Sequence, residues 1–200
     1  MENRVLTSLT AFVNALLDGK CHREFAQILC GGRLLAMEKK TGGIRQIVVG
    51  YVRRRLTAKC ASAHATESLR DYFSPLQVGV GVAGGCEAVV HAARRFLSAM
   101  PADNIIVKLD FSFFISLHRD YMLEHVGEVT PELYTFGHLA CNEQFGEFCL
   151  TPQEGSQQGD PLEGLLFCLA IHPILRSTTS PLTIGFMDDV TLGGTRKEGL

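Results

Sequence analysis

Apolar residues recur at positions 6, 9, 12, 13, 16 and 17, the spacing of one helical face, and Asp18-Gly19 closes the run. That pattern predicts a helix over 6–17, followed by a short helical or extended piece from Phe25 to Leu29 that stops before Gly31-Gly32. Arg33-Leu-Leu-Ala-Met37 and Ile44-Arg-Gln-Ile-Val-Val49 then read as two strands. They are joined by Glu38-Lys-Lys-Thr-Gly-Gly43, whose glycines supply the positive φ of a turn, so a hairpin with lysines at its tip is expected. Val52 to Leu69 is predicted helical, with three arginines at its start.

The second half alternates loops with buried elements. Pro75 to Gly85 reads as a loop, and Ala88, Val89, Ala92, Ala93, Phe96 and Leu97 form one face of a following helix. Ile105-Ile-Val-Lys-Leu109 is a buried strand ending at Asp110, and helices are expected over 117–126 and 131–139. In Asp160-Pro-Leu-Glu163, aspartate fits an N-cap, proline the first helical position and glutamate the capping-box position, opening a helix through Leu165, Leu166, Leu169 and Ile171. The run from Leu182 to Gly194 reads as strand, tight turn and returning strand, with Asp188-Asp189 at the turn.

Composition narrows the class. A chain of 200 residues with 46% hydrophobic content can bury a core as one compact domain or two small lobes. The N-terminus lacks the apolar region of a signal peptide. The longest apolar stretch, Gly164 to Leu175, is about a dozen residues against the ~20 that span a bilayer, and His172-Pro173 interrupts it. No membrane partner is expected, and the protein is read as intracellular, in cytoplasm or nucleus. Seven cysteines, an odd number without a secretory signal, are read as free thiols. Cys60-x3-His64 and His138-x2-Cys141 lack the tight paired spacing of a zinc finger, so zinc is not expected.

Net charge is −2, which by itself argues against a polyanionic partner, but its distribution argues for one. Between Arg33 and Lys59 eight basic residues (Arg33, Lys39, Lys40, Arg45, Arg53, Arg54, Arg55, Lys59) face one acid, Glu38; that surplus of seven leaves −9 for the rest. A basic segment joined to an acidic one is the footprint of a polyanion-binding lobe beside a metal-binding one, the competing reading being a strand edge protected by charge.

Asp188-Asp189 is poor turn chemistry, because two adjacent carboxylates repel and gain nothing there unless a divalent cation neutralises them. A solvated surface turn is the bland alternative. Strand-end carboxylates 78 positions apart, Asp110 and Asp188, converge only if their strands neighbour one another in one antiparallel sheet. Such a pair could hold two Mg²⁺ ions for phosphoryl transfer, since Mg²⁺ prefers hard oxygen ligands. Gly79-x-Gly81-x-x-Gly84 matches a dinucleotide fingerprint only as a string: no buried strand precedes it and no acidic strand end closes a βαβ unit, so a loop that lets the backbone approach another chain closely is preferred.

Several segments, in this order, carry a resemblance: Leu34-Leu-Ala-Met-Glu-Lys-Lys-Thr-Gly-Gly-Ile-Arg-Gln-Ile47, Pro75-Leu-Gln-Val-Gly-Val-Gly81, Gly85-Cys-Glu-Ala88, Val107-Lys-Leu-Asp-Phe111, Ser156-Gln-Gln-Gly-Asp-Pro-Leu162, Leu166-Phe-Cys-Leu169 and Phe186-Met-Asp-Asp189. The chain resembles the reverse transcriptase domain of a non-LTR (LINE-like) retrotransposon from about Leu34 to Gly194. The resemblance implies an α+β fold, a fragment of a right-hand polymerase comprising fingers and palm, with an antiparallel palm sheet, flanking helices and no thumb. Residues 1–30 would be an N-terminal helical segment, 31–104 the fingers, and 105–200 the palm, with 112–155 partly fingers.

It further implies an RNA-directed DNA polymerase that uses two Mg²⁺ ions, Mn²⁺ being able to replace them, with deoxynucleoside triphosphates, an RNA template and a DNA primer. Asp110 would be the first metal ligand with the Phe111 carbonyl assisting, Asp188 the second, and Asp189 the companion carboxylate. Arg45 would contact the incoming nucleotide, Lys39 or Lys40 its γ-phosphate, and Gln158 and Gly159 would line the nucleotide and template pocket. A longer parent polyprotein is expected.

Three departures matter. Later palm motifs and the thumb are not seen, and Phe186 stands where tyrosine is commoner. The family run Asp-Phe-Ser-Asn-Ala-Phe-Asn-Ser-Leu is here Asp110-Phe-Ser-Phe-Phe-Ile-Ser-Leu117, one residue shorter. The aromatic expected five residues after the first aspartate falls on Ile115, or on Phe114 if the deletion is absorbed. The chain is therefore expected to be a poor or inactive polymerase, and a catalytically inactive relic that at most binds nucleic acid is the alternative.

Overall fold

The computed structural model describes residues 2–40, 42–99, 103–110 and 159–195, and for Arg45 and Asp110 it describes the backbone alone. The helices expected over 117–126 and 131–139, and the candidate residues Phe111, Phe114, Ile115 and Gln158, lie outside the described residues. The fold is mixed α+β, with antiparallel sheets. It divides into two compact units, residues 1–65 with 115–163 and residues 66–114 with 164–200.

The first unit opens with α1 (Glu2–Leu17), which buries Val13 and Leu16. Its end follows the Schellman pattern: the Lys20 N–H donates to the Ala15 carbonyl and the Gly19 N–H to that of Leu16. After α2 (Arg23–Cys30), strands β1 (Gly32–Glu38) and β2 (Ile44–Gly50) form a two-stranded antiparallel sheet, with Glu38 opposite Ile44 and Gly32 opposite Gly50. Gly42 and Gly43 sit at φ +86° and +90°, a conformation closed to most L side chains, which is why the turn takes two glycines.

Helix α3 (Val52–Phe73) runs four residues beyond the expected end at Leu69. Leu69 and Phe73, one turn apart, are both buried, so packing carries the helix on through a polar stretch. Arg54 and Thr57 on α3 are buried too. The Arg54 guanidinium meets Asp160, Nη2 to Oδ2 at 2.8 Å, with side chains 2% and 8% exposed. Asp160 uses its other oxygen to accept from the Leu162 N–H at 2.9 Å, the N-cap bond expected of Asp-Pro-Leu-Glu. The capping-box glutamate reaches one residue further back than the motif predicts, since Glu163 Oε2 accepts from the Gly159 N–H at 2.8 Å.

The second unit is built on a three-stranded antiparallel sheet of β3 (Asn104–Asp110), β4 (Leu182–Phe186) and β5 (Asp189–Thr195), in the order β3-β5-β4. Helix α4 (Gly85–Ala99) packs against all three strands. Helix α5 (Glu163–Ser177) contributes an almost continuous buried run, from Leu165 to His172 with the exception of Phe167, plus Leu175. Ile171, Leu175 and Val190 form a buried cluster with Leu76, Phe167 and Leu192 packed on it. His172 lies edge-on to Phe73, ring centroids 5.3 Å apart, and against Tyr72 at 4.6 Å. Among the described residues no helix is long and apolar enough to cross a membrane.

Candidate acidic site at the end of the three-stranded sheet

The register of the sheet gathers three aspartates at one end. Asp110, the last residue of β3, is the Cα partner of Asp189, the first residue of β5. Asp189 is at the same time the partner of Phe186, so Met187 and Asp188 alone make the turn between β4 and β5. Like charges directly opposite on neighbouring strands are destabilising, which makes this a costly arrangement for stability alone. Asp188 is exposed and Asp189 half-buried.

The turn itself is strained. Met187 has φ +55°, while Asp188 does not share a positive φ, the sign pattern of a type II′ hairpin turn whose first central residue is normally glycine. A methionine held there costs about 1–3 kcal/mol unless its surroundings fix it. They do, through a residue that sequence reading passed over. Gln77, fully buried, accepts from the Met187 N–H with Oε1 at 3.0 Å and donates from Nε2 to the Met187 carbonyl at 3.2 Å. Its Oε1 also accepts from the Gly79 N–H at 3.1 Å.

Backbone bonds seat the segment carrying Gln77. Val78 N–H donates to the Gly185 carbonyl at 2.8 Å and Gly185 N–H to that of Leu76 at 2.6 Å. The glycine-rich loop thus backs onto the acidic turn: a Cβ at Gly79 would stand 2.5 Å from the Met187 nitrogen. The close approach expected of this loop to another chain is made instead, at Gly79, to the chain's own β4–β5 hairpin.

Two neighbours feel the carboxylates. Lys108 Nζ lies 3.1 Å from Asp189 Oδ1, in a pair whose side chains are 62% and 40% exposed. On α5, Cys168 has its sulfur 3.9 Å from that of Met187. Burial first, and the negative charge of Asp188 second, push its thiol from 9.0 up to about 12, so it stays protonated and unreactive at neutral pH.

Carboxylates are the hard oxygen donors a divalent ion prefers, and Asp188 and Asp189 bring two of them to the sheet end where the Asp110 backbone also lies; the Lys108 ammonium stands against Asp189 as a cation. Among the described residues no three His, Cys, Asp or Glu side chains assemble into a ready-made metal cluster; the Asp110 side chain lies outside that set.

The basic candidates belong to the first unit. Lys39 and Lys40 occupy the β1–β2 turn, where the Lys39 N–H donates to the Gly43 carbonyl and the Lys39 carbonyl accepts from the Gly42 N–H. Both lysines are exposed, and Arg45 pairs with Met37 on β2. Arg54, counted in the basic run, is withdrawn from it by burial and by Asp160. Gly159 is exposed with φ +101° ahead of α5.

The chain matches no protein-family model. No curated protein is significantly similar to it.

Proposed function

We propose that this chain is a fingers-and-palm portion of an RNA-directed DNA polymerase of the non-LTR retrotransposon kind. The observation that carries the reading is the register that sets Asp110 opposite Asp189, with Asp188 beside them in a two-residue turn. In this reading Asp110, Asp188 and Asp189 hold two Mg²⁺ ions, with the Phe111 carbonyl assisting. When bound, those ions would lower the pKa of a primer 3′-hydroxyl and stabilise the departing pyrophosphate. Lys39, Lys40 and Arg45 neutralise the triphosphate and the nucleic-acid backbone, while Gln158, Gly159 and the residue at Phe114 or Ile115 shape the nucleotide pocket. The partners are an RNA template, a DNA primer and deoxynucleoside triphosphates.

The shortened run Asp110-Phe-Ser-Phe-Phe-Ile-Ser-Leu117 favours a second reading, an inactive relic that binds nucleic acid without extending it. A one-residue deletion in extended chain reverses which face each following side chain takes, and a nucleotide pocket does not tolerate that. Primer extension on an RNA template separates the two. The polymerase reading expects little Mg²⁺-dependent incorporation by the chain as it stands. It expects a gain when Phe113-Phe-Ile115 is replaced by Asn-Ala-Phe-Asn and the family's downstream region is appended, and loss of that gain with Asp188→Asn. If the repaired chain binds primer–template yet adds no nucleotide, the relic reading stands.

A further inference from the structure

We infer that Gln77 is a positioning residue for the acidic end of the sheet: its carboxamide holds Met187 in left-handed backbone and thereby sets how Asp188 and Asp189 leave the turn. The metal-binding part of this inference rests on the proposed function; the hold on the turn does not.

Both faces of one peptide residue are gripped by one side chain. Gln77 takes the N–H and the carbonyl of Met187 together, and it is itself seated by the backbone bonds of Leu76 and Val78 to Gly185 on β4. Such a grip needs a donor and an acceptor on one neutral group of this length. A glutamate would set a carboxylate oxygen against the Met187 carbonyl, and a leucine would leave the N–H and carbonyl of Met187 without these partners. The grip falls on the one non-glycine residue with positive φ among the described residues, immediately before the acidic pair. A buried glutamine that merely satisfied itself would have no reason to select that residue.

Conformational strain gives a discriminating test, because glycine adopts positive φ without help. In the full chain, Mn²⁺ titration followed by water-proton relaxation and amide exchange at residue 187 would be compared for wild type, Gln77→Leu and Gln77→Leu with Met187→Gly. Gln77→Leu is expected to lower protection of the Met187 amide and Mn²⁺ affinity, each about tenfold. Adding Met187→Gly should return Mn²⁺ affinity to near wild type without restoring thermal stability. Gln77→Met, which keeps the length and an apolar fit without donor or acceptor, is expected to match Gln77→Leu and serves if the leucine variant does not fold.

Undiminished Mn²⁺ binding in Gln77→Leu, or a loss that Met187→Gly does not recover, would overturn the positioning role. A wild-type chain that binds no Mn²⁺ overturns the two-metal reading instead. In that case exchange at Met187 decides about Gln77: lost protection in Gln77→Leu supports its hold on the turn, and unchanged protection refutes it.

Discussion

Lys108 and Asp189 meet across β3 and β5 with Nζ 3.1 Å from Oδ1, an ammonium resting against one carboxylate at the acidic end of the sheet. The pair is open to water, so its worth to stability is at most about 1 kcal/mol. Under the proposed two-metal function its larger consequence would be competition, since a divalent ion at Asp189 would have to displace or share with the lysine. Lys108→Met should leave the thermal midpoint nearly unchanged while tightening Mn²⁺ binding by up to about fivefold, with the difference shrinking as salt rises. Weaker binding in the variant would show that Lys108 supports the site rather than occupying it.

The Arg54–Asp160 pair is the opposite case, buried on both sides and tied to the start of α5 by the cap on Leu162. Removing one partner strands a charge away from water, which typically costs about 3–5 kcal/mol. Arg54→Met is therefore expected to lower the urea midpoint substantially. Asp160→Asn, which can keep the cap but not the charge, should be nearly as damaging, and the double variant Arg54→Met/Asp160→Asn milder than the sum of the singles. Equilibrium unfolding with two-state analysis measures all three, and strict additivity would mean that the two residues act separately.

Cys168 predicts an alkaline limit to stability. Its thiol is pushed up to about 12 in the folded chain against 9.0 ordinarily, burial being the main cause and Asp188 the lesser. Below about pH 9 the thiol is protonated in both states and its contribution is fully present. Between 9 and 12 the unfolded chain loses the proton first, binds fewer protons than the native state, and stability falls by up to about 1.4 kcal/mol per pH unit from this group. Cys168→Ala should flatten that part of the stability–pH curve relative to wild type. Iodoacetamide at pH 8 should label Cys60 and Cys86, which are exposed, well before Cys168. Rapid labelling of Cys168 in the folded chain would contradict its burial.

What was legible in the chain is what local chemistry dictates. Strand periodicity with paired glycines marked the β1–β2 hairpin, and Asp-Pro-x-Glu marked the start of α5, because turns and caps are written in adjacent residues. That β3 would share an antiparallel sheet with the acidic hairpin follows from requiring distant aspartates to meet; that its neighbour is β5, with Asp110 opposite Asp189, has no local signal. Gln77 stands in a segment that carries the resemblance, yet its role was illegible for the converse reason: its partner Met187 lies 110 positions away. The clash that Gly79 avoids with Met187 explains the glycine at that position, and a clash is a tertiary fact. Arg54 was counted with the basic surface since arginine on a helix reads the same whether it faces water or Asp160.

Lys39 and Lys40 are exposed at the β1–β2 turn, and Arg45 lies close along β2 opposite Met37, so three cations belong to one short hairpin of the first unit. If they contact phosphates, each neutralised phosphate releases condensed counterions, and log K falls with log salt by roughly 0.9 per contact for duplex DNA and roughly 0.7 for single strands. Charge reversal of all three should weaken binding of an RNA–DNA primer–template at low salt and make the slope shallower by roughly 2–3. Arg54 supplies the control, because a buried, paired guanidinium cannot reach a phosphate: in a folded Arg54→Met/Asp160→Asn chain the slope should stay at its wild-type value. Fluorescence anisotropy across a salt series reads both numbers. Binding that ignores salt, or that survives the triple reversal unchanged, would remove the hairpin from any nucleic-acid interface and leave its charge as protection of a strand edge.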